Sequence, residues 1–210
     1  MKPASVTASP IIGAAAPSFR LESVQGPVVS LENYAGQRNV LLWFSRGFTC
    51  PFCRRYMAQL SLAYERFRGT DSEIVQIGPD LLSQARLFFR NYRLAFPFLC
   101  DTEKAVFRAY ALHDLGPGRA VADTITTFGT ALFTGEFTQT FYASWLDTFA
   151  TGRNAPRRLA EHGLHEVPQG MFAVDRAGRI RYARVFGPLE NIPGNDELLK
   201  VLAGLNSPDR

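Results

Sequence analysis

The feature that most constrains the fold of this chain is an alternation of short apolar runs with helical patterns. The run RNVLLWF, at 38–44, lacks polar alternation, which is typical of a strand buried on both faces of a parallel sheet. A helical pattern follows and ends at Gly69. Its apolar positions at helical spacing are Met57, Leu60, Tyr64 and Phe67.

The alternation continues along the chain. EIVQIG and AFPFLCD are predicted strands, and DLLSQARLFFRNY and TEKAVFRAYAL are predicted helices capped by Asp80 and Thr102. MFAVDRAGRIRYARVFG predicts a hairpin, and NDELLKVLAGL a closing helix capped by Asn195 or Asp196. Another hairpin is predicted from Ser18 to Glu32. The order β-α-β-α-β-α, insert, β-β-α predicts an α/β fold with mixed strand directions.

The length predicts one domain over residues 1–210, with a core at about 16–112 and 167–205 and an insertion at about 116–166. This insertion is expected to be mostly helical. It carries aromatic residues at every fourth position, which are Phe133, Phe137, Phe141, Trp145 and Phe149. We interpret them as an aromatic core or a subunit interface, with a substrate-lining lid as the alternative. An interface here predicts a homodimer, since large exposed apolar surfaces are usually covered.

Composition and charge exclude several classes of function. The chain is 46% hydrophobic, and its net charge of +4 comes from scattered Lys and Arg, which favours a solvated surface over nucleic-acid binding. No apolar run approaches the roughly 20 residues of a transmembrane helix. The N-terminal segment lacks the continuous apolar stretch of a signal peptide, so a cytoplasmic location is expected. The phosphate-binding patterns GxGxxG and GxxxxGK[ST] do not occur, so no flavin or nicotinamide cofactor is expected.

Two of the three cysteines lie in SRGFTCPFCRR, between a predicted strand and a predicted helix. Cys50 is expected at the N-cap and Cys53 in the first turn, where free N–H groups and the helix dipole favour a thiolate. Pro51 suits the first helical position because it lacks an N–H. Positive charge nearby comes from Arg46, Arg54 and Arg55. A two-residue spacer lets the sulfurs reach disulfide distance, so the pattern predicts redox chemistry.

Other interpretations of the cysteine pair are weaker. A zinc site needs four ligands, and the remaining candidates are Cys100 and histidines at 113, 162 and 165. A c-type haem needs His after the second cysteine, where Arg54 stands. Two inert buried thiols would not need a strand-to-helix junction. No metal is therefore expected, and Cys100 is expected to be a free buried cysteine rather than a resolving one.

Five segments of the chain together resemble the peroxiredoxin family (AhpC/TSA, alkyl hydroperoxide reductase/thiol-specific antioxidant), and more narrowly its C-x-x-C-bearing subgroup. They are APSFRL, LENYAGQRNVLLWFSRGFTCPFCRR, IVQIGPD, FPFLCDTEKAVFRAYAL and MFAVDRAGRIRY. The resemblance covers about residues 16–112 and 167–205. It implies a thioredoxin-like fold with an N-terminal hairpin extension and the insertion before the last β-hairpin. It also implies an oxidoreductase that reduces hydroperoxides or disulfides through a Cys50–Cys53 dithiol/disulfide pair.

The chain departs from the family signature, which is Pro, three residues, Thr or Ser, two residues and the peroxidatic Cys. Counting back from Cys53 puts Cys50 at the Thr position and Arg46 at the Pro position, with Thr49 off by one. The family's Arg on a later strand falls on Gln169, which donates hydrogen bonds but carries no charge.

These departures favour thioredoxin-like chemistry, in which Cys50 is the exposed attacking thiolate and Cys53 resolves the mixed disulfide. If hydroperoxides are reduced, Cys53 is expected to attack the O–O bond and then condense with Cys50. Pro168 lies next to the register where thioredoxin-like proteins place a cis-proline, with an ordinary loop proline as the alternative. The predicted supporting residues are Arg46, Thr49, Pro51, Pro168 and Gln169.

Both routes need an outside thiol reductant, of the thioredoxin, glutaredoxin or glutathione kind, and a hydroperoxide or disulfide substrate. Two alternatives stay open. One is a thioredoxin-like disulfide reductase without peroxidase activity. The other is a redox-sensing binding protein, which predicts negligible turnover and a partner whose affinity depends on the disulfide.

Overall fold

The computed structural model describes five segments of the chain, residues 12–48, 50–90, 92–113, 168–186 and 192–206. The predicted insertion at 116–166 lies outside the described residues, together with its aromatic series. The division into core and insertion and the homodimer therefore stay predictions.

The described strands form a hairpin and a central sheet. The hairpin pairs β1 (Arg20–Glu22) with β2 (Val28–Ser30) in antiparallel register, as predicted. The sheet strands are β3 (Asn39–Phe44), β4 (Ser72–Gly78), β5 (Phe98–Cys100), β6 (Gln169–Val174) and β7 (Ile180–Phe186). Their order is β5-β4-β3-β6-β7. Strands β3, β4 and β5 are parallel to one another, and β6 is antiparallel to both of its neighbours, β3 and β7. The predicted mixed sheet is therefore confirmed.

Helices connect the strands in the predicted order. They are α1 (Pro51–Leu62), α2 (Tyr64–Gly69), α3 (Leu82–Phe89), α4 (Ala105–Ala109) and α5 (Asn195–Gly204), with a 3-10 turn at Leu31–Tyr34. The single helix predicted up to Gly69 is divided at Ala63, whose φ of −93° and ψ of 1° interrupt the helical backbone. Within the described segments no helix is long and apolar enough to cross a membrane.

The core lies on both faces of the sheet, because β3 is its middle strand. All six residues of β3 are buried, and the side chains from Val40 to Phe44 alternate between two clusters. Leu41 and Trp43 join the cluster that includes α1, while Phe44 packs edge-on against Phe107 on the other face. The helical spacing predicted for α1 is confirmed, since Met57 and Leu60 are completely or almost completely buried.

The caps predicted for α3 and α4 are wrong. Leu81 is the N-cap of α3, without a side-chain cap, because the Asp80 carboxylate turns inward. Thr102 donates its hydroxyl to the Asp80 carbonyl and does not cap α4. The N-cap is Lys104, which makes no side-chain cap, and the Asp101 carboxylate instead accepts the N–H groups of Ala105, Val106 and Phe107.

The cap predicted for α5 is also wrong. Gly194 is the N-cap and has no side chain to offer. Asn195 instead donates to the carbonyl of Gln59, and Asp196 pairs with Arg66 at 2.7 Å. Both side chains therefore tie α5 to the α1–α2 pair rather than to its own first turn.

Candidate active site

The junction of β3 and α1 carries the two cysteines. Cys50 is the N-cap of α1, with extended backbone angles, and its Sγ accepts the N–H of Cys53 at 3.4 Å. Pro51 is the first residue of the helix, as predicted. Both cysteines are thiols in this structure. The chain thus presents one sulfur at the free N–H groups of a helix and the second one turn deeper.

The environment of Cys50 favours its thiolate. The pKa of Cys50 is lowered from 9.0 to about 6, and the largest cause is a hydrogen bond that the Cys53 side chain donates to it. Burial opposes this change, while the positive charge of Arg46 and the N–H groups of Cys53 and Phe52 support it. Cys50 is therefore mostly a thiolate at neutral pH.

Cys53 has the opposite character. Its side chain is 1% exposed, and burial is the first cause of a pKa raised well above the ordinary value. Its hydrogen bond to Cys50 and the negative charge there raise this pKa further. Cys53 also lies within hydrogen-bond distance of Gln169, with its Sγ 3.5 Å from Oε1. Cys53 is therefore the protonated member of the pair.

The prediction that Cys50 is exposed is wrong. Only 9% of the residue is accessible, because it belongs to the same apolar cluster as Phe48, whose ring stacks on Phe88 at 4.9 Å. Cys50 is still the more accessible of the two cysteines. The difference between the pair therefore lies in both charge state and access.

The loop from Ser45 to Phe48 holds the site through three successive N–H groups. The Arg46 N–H bonds to Cys53. The Gly47 N–H donates to the Ser45 hydroxyl, and the Phe48 N–H donates to the Asp80 carboxylate. The half-buried Arg46 side chain lowers the pKa of both cysteines through its charge. Arg46, a predicted supporting residue, therefore lies where its charge acts on the pair.

The other predicted supporting residues lie at different distances from the pair. Gln169 begins β6, is 2% exposed and contacts Cys53 directly. Pro168 is half-buried beside it. The described residues contain no cis peptide bond, but the bond before Pro168 begins at residue 167, outside them, so the cis-proline stays a prediction. Thr49 also lies outside the described residues.

The third cysteine is buried at the end of β5. Burial is the first cause that raises the pKa of Cys100 to about 12, and the neighbouring Asp80 charge adds to it. A thiol with such a pKa is a poor nucleophile. Among the described residues, no group of three or more His, Cys, Asp or Glu is arranged to hold a metal ion.

Asp80 is the site residue that sequence reasoning missed. It lies just after β4, is 4% exposed, and accepts the Phe48 N–H at 3.3 Å. Burial raises its pKa to about 7, and the charge of Cys50 adds to this. The sequence feature that could have indicated Asp80 is its position at the carboxyl end of a buried parallel strand, where the ends of β3 and β4 meet.

Chloroplastic peroxiredoxin Q proteins are among the similar sequences. The protein of Populus jackii is 33% identical over 89 residues, which are 42% of this chain and 41% of that protein. The putative protein of Oryza sativa subsp. indica is 29% identical over 100 residues, 48% of this chain and 46% of that one. The chain thus matches less than half the length of these relatives.

Solved structures show the same fold. Peroxidoxin BcpB from Mycobacterium tuberculosis has a TM-score of 0.60 at 16% identity, over 93% of this chain and 96% of that one. Reduced 2-Cys peroxiredoxin from Plasmodium vivax has a TM-score of 0.61 at 15% identity, over 91% and 79%. The predicted thioredoxin-like fold is therefore confirmed. The AhpC/TSA family model matches residues 12–127, more than half of the chain, and the chain belongs to this family.

Proposed function

We propose that this protein is a thiol-dependent oxidoreductase of the peroxiredoxin kind, which reduces hydroperoxides with Cys50 as the attacking thiolate and Cys53 as the resolving thiol. The observation that carries the proposal is the contrast between the two cysteines. Cys50 has a lowered pKa at a helix N-cap, whereas Cys53 is buried and protonated. This order is the reverse of the one that the family signature implies for peroxide attack.

The first step consumes the hydroperoxide. The Cys50 thiolate attacks one peroxide oxygen, so an S–O bond forms and the O–O bond breaks. The leaving alkoxide or hydroxide takes up a proton and departs as alcohol or water. Arg46 is the positive charge near the sulfur, and it would stabilise the negative charge as it moves onto the leaving oxygen.

The second step forms the disulfide. Cys53 attacks the sulfenic sulfur of Cys50, an S–S bond forms, and the hydroxyl leaves with the thiol proton as water. Gln169, beside the Cys53 sulfur, orients this thiol. Two thiols of an outside reductant, of the thioredoxin, glutaredoxin or glutathione class, would then reduce the pair and become a disulfide themselves.

A second candidate is reduction of disulfides without peroxidase activity. The residue beside Cys53 favours it, because Gln169 is neutral and offers no cation to a peroxide oxygen. In that case the Cys50 thiolate attacks a substrate disulfide, and Cys53 resolves the mixed disulfide. A cytoplasmic location and a homodimer complete the proposal.

The test follows thiol loss after mixing the reduced protein with one equivalent of hydrogen peroxide, and separately with a small disulfide. Wild type, Cys50→Ser and Cys53→Ser are compared, with Cys100→Ser as the matched control. Peroxide is expected to oxidise wild type, Cys53→Ser and Cys100→Ser much faster than free cysteine, and Cys50→Ser no faster.

Wild-type thiol loss no faster than that of free cysteine would overturn the peroxidase. Rapid accumulation of a mixed disulfide in Cys53→Ser would then support the second candidate. Absence of both reactions would leave the redox-sensing protein as the remaining account.

A further inference from the structure

The Asp80 carboxylate occupies a slot that two glycines keep open. A Cβ at Gly47 would collide with this carboxylate, and one at Gly78 would lie 2.5 Å from its Oδ2. Gly47 has a φ of +92°, a conformation that residues with a side chain rarely adopt. The loop before Cys50 can therefore approach β4 this closely only because glycine stands at both positions.

The carboxylate is one of two anchors for that loop. Asp80 accepts the Phe48 N–H at 3.3 Å, two residues before Cys50. On the other side, Ser45 accepts the Gly47 N–H at 3.2 Å and is itself held by the Gln76 amide at 2.9 Å. Any change at Asp80 therefore reaches the N-cap position of Cys50 through two residues of backbone.

Asp80 and Cys50 also interact through charge. The negative charge of Cys50 raises the pKa of Asp80, and such an effect acts equally in both directions. Other titratable or charged groups around them are Cys53 on α1, which stays protonated, Cys100 at the end of β5, Arg46 in the loop, and Arg86 on α3, which acts on Cys100. Cys100 stays protonated, so Cys50 and Asp80 are the two acids that compete for one negative charge at neutral pH.

We propose that Asp80 is a positioning residue for the thiol pair, which holds the loop through Phe48 and whose negative charge competes with that of the Cys50 thiolate. When Asp80 is protonated, the Cys50 thiolate is the one negative charge of the two acids, which avoids burying two. This inference rests on the proposed role of Cys50 as the attacking thiolate.

Asp80→Asn tests the charge without changing the shape. The amide keeps an oxygen to accept the Phe48 N–H but cannot ionise. The rate at which iodoacetamide alkylates Cys50 is measured against pH, with the modified peptide quantified by mass spectrometry. The alkylation rate of wild type is expected to rise with pH in two steps, because coupled acids titrate together. The alkylation rate of Asp80→Asn is expected to rise in one step. It should match wild type well below pH 7, where Asp80 is already protonated, and should be up to about twofold faster near pH 7, where the two acids of wild type share one negative charge.

Asp101→Asn is the matched control, because Asp101 is equally buried but bonds to the N–H groups of α4. The pH dependence of Cys50 alkylation in Asp101→Asn is expected to match that of wild type. Hydrogen exchange of the Phe48 amide tests the anchor, with slow exchange kept in Asp80→Asn and lost in Asp80→Ala. Identical alkylation profiles in Asp80→Asn and wild type would overturn the charge coupling, and unchanged exchange in Asp80→Ala would overturn the anchor.

A second measurement does not depend on how Asp80 variants fold. The Asp80 carboxyl is followed by NMR in reduced wild type and in Cys50→Ser. Its titration is expected at lower pH in Cys50→Ser, because the thiolate charge that opposes ionisation is gone. An unchanged titration would overturn the proposal. None of these assays uses peroxide or a disulfide, so absence of turnover would refute the proposed function without deciding the role of Asp80.

Discussion

The side chain of Cys53 is expected to control the ionisation of Cys50, and Cys53→Ala removes it. The pKa of Cys50 is lowered from 9.0 to about 6, a difference of about 3 pH units or about 4 kcal/mol. Four causes lower it, and the hydrogen bond from the Cys53 side chain is the largest. A hydrogen bond to a charged group contributes about 1.5 kcal/mol, so Cys53→Ala should raise the midpoint of Cys50 ionisation by about 1 pH unit.

The assay is the pH dependence of Cys50 alkylation in Cys53→Ala, with Cys53→Ser as the matched control. A serine hydroxyl can still donate to the thiolate, so its midpoint should stay closer to that of wild type. A Cys53→Ala midpoint equal to that of wild type would refute the reasoning. So would equal midpoints in the two variants, because the donor would then have no effect.

Two further predictions concern the stability of the site's surroundings, measured as the free energy of unfolding in urea. Asp101→Ala should cost about 2 kcal/mol, because the first turn of α4 loses its acceptor, and Thr102→Ala should cost only about 1 kcal/mol. A larger cost for Thr102→Ala than for Asp101→Ala would show that Thr102 is the cap after all. Gly47→Ala should cost about 3 kcal/mol, through strain at positive φ plus collision with Asp80, whereas Gly36→Ala, at a φ of +72° in open space, should cost about 1 kcal/mol. Equal costs at the two glycines would contradict the slot.

Elements that depend on local pattern could be predicted from the sequence. The unbroken apolar run of β3 marks a strand covered on both faces, and it is the middle strand of the sheet. Cys50 and Pro51 were assigned correctly to the N-cap and first position of α1, since proline and a side-chain acceptor suit helix starts.

Features that depend on tertiary contacts could not be predicted in this way. Asp80 has the residue type of a helix cap, but its carboxylate faces Phe48, which is 32 residues earlier in the chain. Only the assembled sheet brings the ends of β3 and β4 together. The burial of Cys50 was missed for the same reason, because the aromatic residues of α3 that pack near it come from another part of the sequence.

The order of attack, with Cys50 first, is the central claim, and the site of the first sulfenic acid tests it most directly. Reduced Cys50→Ser and Cys53→Ser are each treated with one equivalent of hydrogen peroxide in the presence of dimedone, and the labelled peptide is identified by mass spectrometry. The account predicts rapid labelling of Cys50 in Cys53→Ser, and no rapid labelling of Cys53 in Cys50→Ser. Rapid labelling of Cys53 in Cys50→Ser, with Cys50 unlabelled in Cys53→Ser, would contradict it.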